Sequence, residues 1–94
     1  MRIKFARSAR KHRVARFRIL YVIEHSGMRL EQPPPPGSPA GRTVRLVYLG
    51  DDAAGLAIEV MAIDLVDGDM LVIHAMPLRE RYREQYEELR KERR

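Results

Sequence analysis

Between residues 43 and 76 the chain falls into three strand-like runs separated by short turns. In GLAIEVMAIDLV, residues 55–66, the period is two: Leu56, Ile58, Val60 and Ala62 fall on one face, and Ala57, Glu59, Met61 and Ile63 on the other. TVRLVYLG (43–50) precedes it and MLVIHAM (70–76) follows. Asp51–Asp52–Ala53–Ala54–Gly55 supplies turn residues for the first connection. Asp67–Gly68 predicts a type I′ hairpin for the second, because glycine takes φ > 0 without steric cost. Such short links predict an antiparallel meander.

The flanks carry a 3.6-residue period instead. Ile19, Leu20 and Ile23 share one side of a helix, with Val22 beside them, and no Pro or Gly interrupts residues 8–25. Ser8 is placed to cap this helix and Gly27 to end it in the left-handed region, with a break at Arg13–Val14 as a variant. Ahead of it, RIKFA predicts a short strand with Ile3 and Phe5 on one face. Pro77 suits a first helical turn, and a second helix over 78–92 would pack by Leu78, Tyr82, Tyr86 and Leu89. Glu87 and Lys91 would pair on its outer face. The expected order is β-α-β-β-β-α: an α+β class, a small antiparallel sheet with two helices, in one domain over 1–94. Residues 31–42, EQPPPPGSPAGR, predict a stiff surface loop inside that domain, because consecutive prolines donate no backbone N–H.

Composition narrows the chemistry. With no cysteine, disulfide frameworks, thiolate zinc sites and thiol nucleophiles are excluded. No apolar run approaches the ~20 residues of a membrane span, and the N-terminus leads into no signal-type apolar core, so a cytoplasmic protein without membrane contact is expected. His12, His25 and His74 lie far apart in the sequence and outside ligand spacings, so no metal or other cofactor is expected. Ser8, Ser26 and Ser38 lack a nucleophile elbow, and no glycine loop for phosphates is present.

Charge points to a polyanion. The net charge is +5, and residues 1–19 hold eight arginines and lysines with no acid. Unbalanced cations repel one another, which favours a phosphate-bearing partner over a merely solvated face. Downstream, VIHAMPLRERYREQY brings His74, Arg79, Arg81, Tyr82 and Arg83 into one short segment, with Arg79 and Arg83 on one expected helix face. Metal-free RNA cleavage needs a proton taken from the 2′-hydroxyl, charge stabilised on the phosphorane and a proton given to the leaving 5′-oxygen. Histidine, arginine and tyrosine are side chains of that kind. The plainer alternative leaves His74 a bonded strand residue, Tyr82 in the core and the arginines on the surface.

The stretch LVYLGDDAAGLAIEVMAIDLVDGDMLVIHAMPLRERYREQYEE resembles the BrnT-type toxins of bacterial type II toxin–antitoxin pairs, distant relatives in fold of the RelE-like ribonucleases. The shared pattern is a basic N-terminal stretch with a Lys-His pair, here Lys11–His12, then a helix, a meander and an arginine-rich helix ending near a Tyr-Glu pair. The chain departs from it at Arg13–Val14–Ala15, where the pattern carries glycine and a capping residue. The resemblance implies a metal-independent endoribonuclease that cleaves mRNA, free or on the ribosome, and is silenced by a small DNA-binding antitoxin. For such an enzyme Arg79 is expected to meet transition-state charge and His74, where many members carry serine, to transfer protons, with Tyr82 or His12 secondary. Arg10, Lys11, His12, Arg13, Arg81 and Arg83 would contact RNA. On this basis Arg79→Ala would abolish cleavage and leave the fold intact. A non-enzymatic RNA- or DNA-binding module is the competing class. The apolar second face of the long strand, with Met61 and Ile63, also asks for a cover, which a homodimer or the antitoxin would provide.

Overall fold

Alternation and turns together build the sheet. The computed structural model describes residues 2–26, 29–33, 36 and 44–92. Its strands are β1 (Ile3–Phe5), β2 (Arg29–Gln32), β3 (Arg45–Asp51), β4 (Ala57–Asp64) and β5 (Met70–Pro77), and its α-helices are α1 (Arg16–His25) and α2 (Arg83–Glu92). Short 3-10 segments at Arg7–Arg10 and Glu80–Tyr82 precede the two helices. The spatial order is β1-β5-β4-β3-β2. The α+β class, the two helices and the β3-β4-β5 antiparallel meander follow the sequence pattern.

Two features extend it. β2 adds a fifth strand, antiparallel to β3, using Glu31 and Gln32 from the expected loop. β1 pairs parallel with β5, so the sheet is mixed rather than antiparallel. Most of that proline-rich loop, like the expected cap Gly27, lies outside the described residues.

Each face of the sheet holds one cluster. Beneath α1, Ile19 and Val22 meet Leu46, Tyr48, Ile58, Val60, Val72 and Ala75. On the opposite face, Tyr82, Tyr86 and Leu89 meet Val47, Leu49 and Met61, with Leu78 packed at the margin. On the second face of β4 the chain's own C-terminal segment therefore covers Met61, whereas Ile63 is half-buried and belongs to neither cluster. Leu56, expected on the α1 face, lies exposed in the turn.

Both hairpins use three-residue loops closed by a glycine at positive φ. Gly55 (φ 83°) and Gly68 (φ 89°) each donate to a carbonyl three residues back, Asp52 and Leu65. Asp67 is not at positive φ, so the second turn is a type I turn with a glycine bulge rather than type I′. Asp52 anchors the first turn: its Oδ1 accepts from the N–H groups of Ala54 and Leu56 (2.9 Å each), and its Oδ2 accepts from Arg18 Nε (2.6 Å). These bonds hold its carboxyl below the usual carboxylate range, the Leu56 amide first.

The N-terminal segment departs from a single helix. Ser8 caps nothing; its Oγ donates to the Ile73 carbonyl of β5 (2.6 Å). The chain then turns at Arg13, whose φ of 57° is the left-handed region that a Cβ disfavours by roughly 1–2 kcal/mol. Glycine removes that strain but loses more backbone entropy on folding. Arg13→Gly is therefore expected to stabilise the chain by about 0.5–1 kcal/mol, read as a rise of about 4 °C in thermal midpoint. A fall in the midpoint would show that the Arg13 side chain contributes more than its backbone costs.

Candidate active site

The site grows from one buried carboxylate. Glu59 stands on the second face of β4 between Ala57 and Met61 and is 1% exposed. A lone carboxylate there is costly unless paired and hydrogen-bonded. Arg79 supplies both. Its backbone N–H donates to Oε1 (2.8 Å), and its Nε and Nη2 donate to Oε2 (3.0 and 2.7 Å). The same bonds hold the guanidinium even further above its ordinary range.

This pairing reshapes the chain after β5. Pro77 is the last residue of β5, opposite Ile58, rather than part of a helical turn. Leu78 still donates to the Ala57 carbonyl (3.1 Å), and Arg79 is extended (φ −88°, ψ 157°). Arg79 therefore precedes the helix and does not share a helix face with Arg83. Arg79→Ala is expected to cost stability as well as activity, because it removes the two side-chain donors to the buried Glu59 carboxylate and leaves only the backbone N–H. Among the described residues Nη1 meets no acceptor, and the side chain is 36% exposed, so one edge of the guanidinium remains open to a phosphate.

A bulge aims His74. Met61 pairs with His74 but Ala62 with Val72, so Ile73 is an extra residue in β5. Before it, Met70 and Val72 face the α1 cluster; after it, His74 stands opposite Met61 on the Glu59 face. Bulges commonly re-aim a side chain in this way. Ser8 Oγ and the Ala6 N–H (2.8 Å, to the Val72 carbonyl) bind the β5 edge at this point. His74 Nε2 lies 3.3 Å from Glu59 Oε2, yet it is the one buried side-chain polar atom among the described residues without a hydrogen bond. The neighbouring carboxylate favours a proton on Nε2, leaving the lone pair on Nδ1. Burial pushes the His74 pKa below the usual histidine value; Glu59 pulls against it, while Arg79 and His12 push the same way. The ring is thus held neutral near pH 7.

The other expected site residues divide. The His12 ring meets the His74 ring edge-on, centroids 5.7 Å apart. Tyr82 is a core residue lying under Arg79 and Arg81 (guanidinium carbons 5.7 and 5.0 Å from its ring centre), and its hydroxyl donates to Gln32 Oε1 (3.2 Å). Arg81 lines an open cleft with His74, Arg79, Tyr82, Gln32 and Arg45. Arg83 does not join them: it lies over the Tyr86 ring and 4.0 Å from Glu87. Lys91 pairs with Glu88 rather than Glu87. Arg10, Lys11 and Arg13 are exposed on the segment that carries His12, and none has an ion pair among the described residues.

Sequence reasoning placed Glu59 on the second strand face but gave it no role, and it overlooked Gln32 and Arg45. For Glu59 a signal existed: it is the single carboxylate inside the apolar run AIEVMAI, on a face that had to be buried. Gln32 and Arg45 carry no comparable local mark.

Chemically, the cleft offers a neutral imidazole, a second imidazole beside it, an oriented guanidinium and further cations. Among the described residues no three His, Asp or Glu side chains gather as metal ligands, and no helix is long and apolar enough to cross a membrane. The chain matches no protein-family model, no curated protein and no solved structure.

Proposed function

We propose that this chain is a metal-independent endoribonuclease acting on mRNA in the cytoplasm, the toxin of a toxin–antitoxin pair. The observation that carries the reading is the contact of the His12 ring with His74, which lines a cleft together with Arg79, Arg81 and Arg45. The resemblance of VIHAMPLRERYREQYEE to BrnT-type toxins supports it independently.

The chemistry follows from the side chains. Neutral His74 takes the proton of a ribose 2′-hydroxyl, and the 2′-oxygen attacks the adjacent phosphorus. Charge developing on the phosphorane oxygens is met by the open edge of Arg79, which Glu59 prevents from swinging away. His12 gives a proton to the departing 5′-oxygen, leaving a 2′,3′-cyclic phosphate and a 5′-hydroxyl. An antitoxin with an acidic segment would silence the protein by covering the same cations.

The test is cleavage of an end-labelled single-stranded RNA by the purified chain in EDTA, with His74→Ala beside it. Cleavage by the wild type, lost in the variant, is the expected result. One observation favours the non-enzymatic alternative: Glu59 already neutralises much of the charge of Arg79. Salt-sensitive RNA binding by the wild type, with no cleavage of free RNA or of ribosome-bound mRNA, would select that module instead.

A further inference from the structure

Phe17 is an exposed ring for which the fold has no use. Of the chain's six aromatic rings, Tyr48, Tyr82 and Tyr86 are buried, Phe5 lies half-buried under Arg16, and Tyr21 is stacked on His25. Phe17, in the first turn of α1, is 70% exposed. It flanks a shallow depression with Leu56, itself 59% exposed, the turn residues Ala53 and Ala54, and Asp52, whose charge is paired with Arg18.

Its surroundings say what would cover it. Arg7, Arg10, Lys11, Arg13 and Arg16 are exposed, precede Phe17 without an intervening acid, and form no ion pair among the described residues. A run of cations ending at an exposed ring is the arrangement that holds single-stranded nucleic acid: cations follow the phosphates and the ring takes a base. A protein interface would want a wider apolar centre with fewer charges. Phe17 follows His12 by five positions, so their Cα atoms lie at most about 18 Å apart, a span that a few nucleotides can bridge.

We propose that Phe17 is a stacking platform for a nucleobase of single-stranded RNA whose backbone runs along Arg10–Arg16 into the His12–His74 cleft. This rests on RNA being the ligand and deepens that reading. Because every base presents a π-face, Phe17 adds affinity and register without choosing a sequence.

The experiment uses the full chain and a short, fluorescently labelled 2′-O-methyl RNA, which binds but cannot be cleaved. Phe17→Ala is expected to weaken binding by about tenfold, with the thermal midpoint and the salt slope unchanged, since no phosphate contact is removed. The chain has no tryptophan, so Phe17→Trp places its only indole at the site. Its emission should be quenched by that RNA and left unchanged by an abasic oligomer of equal length. Wild-type binding by Phe17→Ala with no quenching in Phe17→Trp overturns the proposal and leaves RNA binding standing. Absence of RNA binding by the wild type overturns both. Conversion of a wild-type dimer to a monomer by Phe17→Ala, with RNA affinity unchanged, overturns it in favour of a protein contact.

Discussion

Glu59→Ala is expected to lower the unfolding free energy by about 3 kcal/mol, measured as a drop in urea midpoint at constant m-value. Removing one partner of a buried ion pair typically costs 3–5 kcal/mol, because the other charge keeps its desolvation and loses its compensation. The lower end applies because the Arg79 side chain is 36% exposed and water can reclaim part of it. The change also frees the Arg79 backbone N–H, which Oε1 now accepts, and empties space beside Met61. Glu59→Gln separates these contributions: it keeps the volume and one acceptor but removes the charge, and should cost less. Equal losses for the two variants would mean that the charge, not the volume, sets the cost. A loss below ~1 kcal/mol in Glu59→Ala would show that the pair contributes little to the fold.

His74→Ala is expected to lower kcat/KM for RNA cleavage by roughly 10²–10⁴-fold, the range for a lost general base. Wild-type kcat/KM should rise with pH along an acid limb whose midpoint lies below the ordinary histidine value of about 6.5, because burial favours the neutral ring. The same depression makes a claim on stability. A folded state that binds the His74 proton less readily than the unfolded chain does loses stability as pH falls below about 6.5, until the folded pKa is passed. Above that window the contribution is complete. His74→Ala should flatten this part of the stability–pH curve while His12 and His25 remain. Undiminished cleavage by His74→Ala would remove His74 from the chemistry, and a stability curve as steep as the wild type's would show that its burial does not depress its pKa.

The legible and illegible parts of the site differ in kind. His74, Arg79 and Tyr82 were visible because they crowd into one short segment of unusual chemistry. The Lys11–His12 pair was visible only through the resemblance to the BrnT-type pattern. What joins them was not. Glu59 lies 15 residues before His74 in the sequence, and only the β4–β5 register sets its oxygen beside Nε2. The extended backbone at Arg79 had no local signal either, since PLRERYREQY has good helical spacing. A buried carboxylate accepting its backbone N–H outweighed that propensity. The same holds for Ser8, a sound cap by residue type that instead donates to the bulged strand.

By itself the sequence determined the class of this protein, its meander, the alternating faces of β4 and the cationic N-terminal segment, because periodicity, turn residues and charge are local properties. In α1 it gave Leu20 the place that Val22 takes in the core. Tertiary structure alone decided the parallel pairing of β1, the added strand β2, the positive φ at Arg13 and the identity of the carboxylate that holds Arg79. It also decided the direction of His74. Strict alternation from Val72 would have sent that ring under α1 with the core. One extra residue at Ile73, braced by Ser8, turns it to the Glu59 face. Such a bulge leaves no trace in a period-two pattern, since it arises from how neighbouring segments compete for one strand edge.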